Sequence, residues 1–493
     1  MNKDSRKINI IKDIGIFILI AIISFVFLLK SPLNIWSLGD SGTDSSVFRM
    51  IATMMKNGYM PYRDSFDHKG PLLYIINYVG LIINENHGVW FIELIFMIFT
   101  CLGIYRISRL SCDRFISIIV LLVCLNPLFY FFGGGNKAEE YAMTFIAWGL
   151  YIFLDYFTNK NISKIRLIIC GLFCGAVLMM QPNMASMWVV FCIAVLIYSI
   201  KNNNIKEIPG FLLYFCIGLA IIIIPLVIWL AVNNALKDCI DAYIGFNALY
   251  TSFRDGGISI SDQWAVTLTF LNEPAIIIAF ICTVLLCVYR RKLIYFIYAV
   301  YILAALWIAS ISGFFYEHYF MIMVPAIAFP VSEVFKIFKE RKDDNVLLIA
   351  TAIVAMYFAV PSWIDLAAWV PGKYNMRNSD SHSEIVMQVS DIIRENTDED
   401  DRIAVYGNFD MFYLQSGRLH ATRFSFTAPV LSIAEELEKE YFTDLKEELP
   451  KCIVVQMECT DSKIDKFIEE NNYMQIDYLV SDAGDQIAIY IKQ

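Results

Sequence analysis

The sequence predicts a polytopic α-helical membrane protein of about eleven transmembrane helices, with two interfacial helices on its outer side and a small C-terminal α/β domain outside the membrane. Three observations predict it. Of 493 residues, 58% are hydrophobic and only 18% charged, where a soluble domain carries about 25%. Eleven apolar stretches approach the ~20 residues that cross a bilayer. Charge is also unevenly placed. Residues 1–371 hold 27 basic and 24 acidic side chains, and residues 372–493 hold 12 and 24. A membrane body is therefore expected over 1–370 and an acidic, water-soluble domain over 371–493. A disordered chain is excluded, and a purely soluble enzyme is disfavoured.

The expected spans are 13–30, 88–107, 114–132, 141–157, 165–180, 184–200, 209–231, 273–289, 293–311, 318–335 and 345–362. A further run, PLLYIINYVGLII at 71–83, has only 13 residues and suits an interfacial helix better than a span. Basic residues then set the orientation. With 71–83 left out, the N-terminus and the loops 106–114, 158–166, 201–207, 289–292 and 336–344 carry 19 Lys and Arg. The opposite set, 31–87, 133–140, 181–183, 232–272 and 312–317, carries 7 over a greater length. The basic set is read as cytoplasmic, so the N-terminus lies inside and the acidic domain outside. The first span reads as an uncleaved signal anchor. Nine of twelve cysteines lie in or beside apolar runs and read as packing residues, with no CxxC or Cys/His metal spacing.

The long outer loop 31–87 is not a simple linker. Thr43 or Asp44 can cap a helix running to about Asn57, with Gly58 as its stop. Phe48, Ile51, Met54 and Met55 recur at helical spacing and give it one apolar face. Between this helix and the 71–83 run lies YMPYRDSFDHKGPLL, densely polar and then abruptly apolar. Asp44 in GTDSSVF is a candidate general base toward a hydroxyl, or a plain N-cap. Asp67, His68 and Lys69 form a compact trio, joined by Asp40 and Asp64. Lysine can neutralise a phosphate, and Asp with His can hold a divalent cation. The alternative for all of them is solvated loop charge.

Other outer segments add candidates. NKAEE places Glu139 and Glu140 where the fourth span begins. Gln181-Pro182-Asn183 interrupts two apolar runs, and FFYEHYF puts His318 and Tyr319 at the start of the tenth span. These are cleft candidates, with ordinary interfacial packing as the alternative. Glu93, Asp155 and Glu333, near span ends, are expected to face water.

In the C-terminal part, 382–396 reads as an amphipathic helix. Strands follow at 402–407, 452–456, 476–480 and 486–491, and helices at 432–448 and 461–471. The segment YLQSGRLHATRFSF, 413–426, has no clear period. Arg418 and Arg423 within it read as surface charge, with a cleft-facing role as the alternative.

These segments, in this order, resemble the GT-C superfamily of integral-membrane glycosyltransferases. The likeness is to the branch with dolichyl-phosphate-mannose protein mannosyltransferases and bacterial aminoarabinose lipid A transferases. It rests on GTDSSVF, FDHKGPLLY, NKAEEYAMTF and HYFMIMVP and covers almost the whole chain. The resemblance implies a polyprenyl-phosphate-linked sugar as donor and inverting transfer to a cell-envelope acceptor outside the plasma membrane. It implies Asp44 as base or acceptor-orienting carboxylate. It gives Lys69, with Arg63 or a cation, to the donor phosphate. His68 stands where the family has an acid, so Asp67 is the alternative charge. Glu139 and Glu140 match the second acidic element. Asp67, His68, Glu139 and Glu140 are the candidates for a divalent metal, and no other cofactor is expected. No nucleic-acid partner is expected, and the sequence has no nucleotide motif. The rival class is a multispanning transporter or flippase of lipid-linked sugars.

Overall fold

The computed structural model describes residues 3–252, 259–270, 273–311, 316–340 and 345–493. Parts of the connections expected at 232–272, 312–317 and 336–344 lie outside these. The chain forms two compact units. One comprises residues 1–30, 91–226 and 258–375, and the other residues 31–90, 227–257 and 376–493.

The first unit is helical. All eleven apolar stretches expected to span coincide with helical segments. Among the described residues, six helices are long and apolar enough to cross a membrane: Ile8–Leu28, Gly88–Arg109, Arg114–Phe131, Pro182–Lys201, Ile205–Val232 and Glu317–Glu340. A bent pair, Ile260–Thr269 with Pro274–Arg290, would make a seventh. Lys164–Leu178 and Leu293–Ala309 are apolar but shorter, at 15 and 17 residues. Ala138–Asn159 has the length but dilutes its apolar side chains with tyrosine, threonine and acids. Only 6% of the most apolar stretch of Ile205–Val232 is buried by protein. Such a surface needs lipid to cover it, and the protein is a membrane protein.

Close packing here relies on small residues. A Cβ on Gly171 would lie 2.0 Å from the Phe215 carbonyl oxygen, and one on Gly218 2.0 Å from that of Ile168. The helices Lys164–Leu178 and Ile208–Val232 therefore touch backbone to backbone. The three acids expected to face water do not. Glu93 is 0% exposed, Glu333 7% and Asp155 9%. Glu333 accepts from Tyr295 (2.6 Å) and from Ser111. Asp155 pairs with Arg166 and accepts from Asn159 at 2.7 Å. A buried carboxylate is tolerated because neighbouring donors replace its water, and nothing in the local spacing signals those donors.

The second unit gathers three separated stretches. Strand β1 (Ser37–Gly39) pairs in parallel with β2 (Ser379–Ser381), with Ser37 opposite Ser379. A five-stranded sheet follows from β3 (Arg402–Tyr406), β4 (Leu419–His420), β5 (Cys452–Gln456), β6 (Tyr473–Val480) and β7 (Gln486–Lys492), in the order β4-β3-β5-β7-β6. β3 runs parallel to β4 and β5, while β7 is antiparallel to β5 and β6. This is the small α/β element expected at the C-terminus. The helix Glu384–Asn396 covers it with Val386, Val389 and Ile393. So does the first-loop helix Thr43–Lys56, whose Met50 and Met54 enter the same core as Ile403, Val405, Val454 and Ile489. The apolar face of that helix is thus covered by protein. The helix Pro71–Ile83 packs against it.

Candidate active site

The polar segment between these two helices is folded into a tight, over-determined turn. Tyr62 takes a left-handed backbone (φ 68°), which costs an aromatic residue on the order of 1–3 kcal/mol. Several contacts hold it there. Its N–H donates to the Ser65 carbonyl (2.9 Å) and its hydroxyl to the Lys69 carbonyl (2.7 Å). Its buried ring meets Tyr74 edge-on at 5.5 Å. Asp64 accepts the Met60 N–H at 2.7 Å and pairs with Arg63 at 2.6 Å. Arg63 also donates to the Asn233 carbonyl at 2.8 Å, so its guanidinium is engaged within the loop.

The trio lies just beyond. Asp67 is 3% exposed and accepts the His68 N–H (2.7 Å) and the Tyr74 hydroxyl (2.8 Å). Lys69 is buried as well. His68 lies between aromatic rings, 5.4 Å from Phe246 and stacked at 5.7 Å on Tyr250. Burial lowers its pKa. Asp67 opposes that shift, Lys69 adds to it, and Asp44 opposes it more weakly. Asp67, Lys69 and Asp44 are therefore each within electrostatic reach of His68, which is neutral at pH 7. Asp44 sits in the first turn of Thr43–Lys56, but Gly42 occupies the cap position with no side-chain cap bond. The capping role expected of Thr43 or Asp44 is not used. Asp44 is half-buried where the helix N-terminus favours an anion. A cavity of about 690 Å³ in the same unit is lined by Arg63, Phe66, Asp241, Phe246, Arg423 and Glu440 among others.

The aperiodic C-terminal segment 413–426 staples this turn. Phe66 N–H donates to the Arg423 carbonyl (2.7 Å), and Arg423 donates back to the Tyr62 carbonyl (2.9 Å). The Arg423 guanidinium lies 5.3 Å from the Phe66 ring and is paired with Glu440. Ser65 Oγ meets His420 Nε2 at 3.2 Å, while His420 Nδ1 donates to the Thr422 carbonyl. Arg418 is 7% exposed and donates to Thr397 and Ser416. Neither arginine is surface charge. Arg423→Ala is expected to cost about 2–3 kcal/mol and to raise hydrogen exchange at Tyr62 and Phe66 while β3 and β5 stay protected. Unchanged exchange at the turn would rule the staple out.

The remaining candidates lie in the other unit. Glu139 and Glu140 are 2% and 1% exposed in the first turn of Ala138–Asn159. Their approach is shaped by GGGN. Gly135 has φ +82°, and a Cβ on it would fall 2.3 Å from Glu93 Oε1. The Asn136 N–H donates to that oxygen at 2.7 Å, and Tyr141 donates to Asn136 Oδ1 at 2.8 Å. Gln181 precedes and Asn183 lies within the short helical turn Pro182–Ala185. His318 and Tyr319, rings 4.8 Å apart, open the 3₁₀ run Glu317–Ile327, which packs on Ala138–Asn159.

Sequence reading missed Asn247 and Asp410, and took the buried Glu93 for a water-facing acid. Asn247 contacts His68 from a residue separation of 179. Asp410 is 0% exposed, and burial, aided by the charge of Asp67, pushes its carboxyl up to about 7. The NFDMFY stretch that carries it has no local signal of burial. Among the described residues no three His, Cys, Asp or Glu gather as a cation site requires. Asp67 accepts from the His68 N–H and the Tyr74 hydroxyl, and His68 is partnered at Nδ1.

A family model described as "Putative competence-induced protein Ccs4 N-terminal domain" matches residues 2–366. No curated protein matches the chain. Among solved structures, ArnT from Cupriavidus metallidurans bound to undecaprenyl phosphate is similar at TM-score 0.60 and 12% identity, covering 97% of both chains. Its apo form gives 0.56 and 12%, covering 98% of both. The oligosaccharyltransferase of Archaeoglobus fulgidus, tethered with an acceptor peptide, gives 0.52 and 13%, covering 97% of this chain and 74% of that one. The chain shares the fold of these structures.

Proposed function

The chain belongs to the Ccs4 N-terminal domain family, and from this premise we propose that it is a membrane glycosyltransferase. In this reading it moves a sugar from a polyprenyl-phosphate-linked donor to an acceptor outside the plasma membrane. The observation that carries it is the gathering of Asp44, Asp67, His68 and Lys69 in one unit of a GT-C fold. The undecaprenyl phosphate on ArnT supports a polyprenyl phosphate as the donor's carrier. The Lys and Arg asymmetry of the loops supports the outward orientation.

The reaction is a single displacement. The acceptor oxygen attacks the anomeric carbon from the face opposite the phosphate. The bond from that carbon to the phosphate oxygen breaks as the new one forms, which inverts the configuration. Asp44 takes the acceptor's proton. The polyprenyl phosphate leaves as an anion whose charge Lys69 offsets, with Arg63 as the second cation of the loop. Glu139 and Glu140 form the second acidic element of this reading, and no proton step is assigned to them.

The test is transfer of labelled sugar from synthetic polyprenyl phosphate to a cell-envelope fraction by the purified chain in lipid vesicles. Release of free polyprenyl phosphate in step with labelled acceptor is expected. Movement of intact lipid-linked sugar across the vesicle without cleavage would replace this reading with that of a flippase.

A further inference from the structure

We propose that Asn247 is a positioning residue that locks His68 as its Nδ1–H tautomer and so presents Nε2 as a lone-pair acceptor for a substrate hydroxyl. The inference rests on the glycosyl-transfer reading for the substrate, but the tautomer follows from hydrogen-bond logic alone.

An amide side chain has one end that only donates and one that only accepts. The Asn247 nitrogen lies 2.7 Å from the His68 carbonyl oxygen and 2.8 Å from that of Tyr243. Both carbonyls only accept, so the two amide hydrogens belong there and the flip of the side chain is settled. The oxygen then faces His68 Nδ1 at 2.8 Å. An amide oxygen cannot donate, so Nδ1 carries the hydrogen. In a neutral ring Nε2 is left bare.

Local structure makes this arrangement available. Residues Asp241–Phe246 form a π-helical turn just before Asn247, a departure often found at functional sites. The Asn247 N–H turns to the Ile244 carbonyl, which leaves the Tyr243 carbonyl to the side chain. The same stretch supplies Phe246 and Tyr250 against the imidazole, fixing its plane.

Nε2 lies 3.9 Å from Asp67 Oδ1. Both atoms accept, so they do not bond to each other, and a donor is what the pair suits. Sugars and alcohol acceptors offer hydroxyl hydrogens of that kind. His68 keeps part of its side chain open, at 21% exposure. A hydroxyl donating to Nε2 would be oriented beside Lys69 without any change in charge.

The experiment is ¹⁵N solid-state NMR of the full chain in lipid with labelled histidine, the His68 signals being identified by their loss in His68→Gln. Wild type is expected to show a protonated Nδ1 and a bare Nε2. Asn247→Ala should move His68 toward the Nε2–H form. Asn247→Asp, whose carboxylate still accepts from Nδ1 and also favours the charged ring, should keep Nδ1 protonated. A protonated Nε2 in wild type, or an unmoved spectrum in Asn247→Ala, would overturn the proposal. In transfer assays Asn247→Ala should lower turnover roughly tenfold or more, with partial rescue in Asn247→Asp. A raised KM for the donor alone assigns the hydroxyl to the donor sugar, and one for the acceptor alone assigns it to the acceptor. Unchanged kinetics would remove the hydroxyl role. If wild type transfers no sugar at all, the reading of function fails, whereas the tautomer is judged by the spectrum.

Discussion

Asp44→Asn is expected to remove sugar transfer, with turnover falling on the order of 10²–10⁴-fold, while the protein inserts and melts like wild type. Asparagine keeps the shape of the side chain but cannot take the acceptor's proton. The structural loss should be small because Gly42, not Asp44, occupies the cap position. What is lost is one charge at the helix N-terminus, about 0.3–1 kcal/mol. The check is turnover at saturating donor together with thermal unfolding of the same preparation. Full activity in a folded Asp44→Asn would sink Asp44 as the base. An equal loss of stability and activity would make it a structural carboxylate instead.

The second large effect concerns stability and pH. Burial pushes the Asp410 carboxyl from an ordinary value near 3.8 up to about 7. The folded state therefore holds this proton more tightly than the unfolded chain. The resulting stabilisation is fully present below the unfolded value and is lost as pH rises through about 7. Asp410→Asn retains a neutral side chain of the same shape, so it should match wild type near pH 4. At pH 8 it should be the more stable by up to about 4 kcal/mol, at 1.36 kcal/mol per unit. Thermal unfolding from pH 4 to 8 reads this directly. Identical melting at pH 8 would show that burial does not raise the Asp410 carboxyl. His420 works in the other direction. Burial lowers it to about 4, so its contribution is present above 6.5 and is lost as pH falls toward 4. The variant should keep that acid limb while losing the alkaline one.

Much of the architecture was legible in one dimension. Apolar runs marked the helices because a span is a local property of about twenty side chains. The C-terminal strands showed themselves as short apolar runs between helical periods. The segment FDHKGPLL was recognisable as chemistry because polar side chains crowd before an abrupt apolar helix. What it does structurally was not legible. The left-handed Tyr62 depends on Arg423, 361 residues away, and His68 depends on Asn247, 179 away. The cap expected of Asp44 was misread because Gly42 could not be recognised as the cap from composition. Glu93 was expected to meet water, and the GGGN turn that wraps it gives no sign of its target in sequence.

Local composition by itself determined that this chain is a membrane protein with an acidic α/β end, since hydropathy, period and charge sum over neighbours in the chain. Tertiary structure alone decided that residues 31–90, 227–257 and 376–493 build one unit and that Asp44, Asp67, His68 and Lys69 fall within it. The physical reason is that burial and hydrogen-bond partnership are set by contacts between distant segments. A charged side chain carries the same letter whether water, a second charge or a closed core surrounds it, and only the folded contacts decide which.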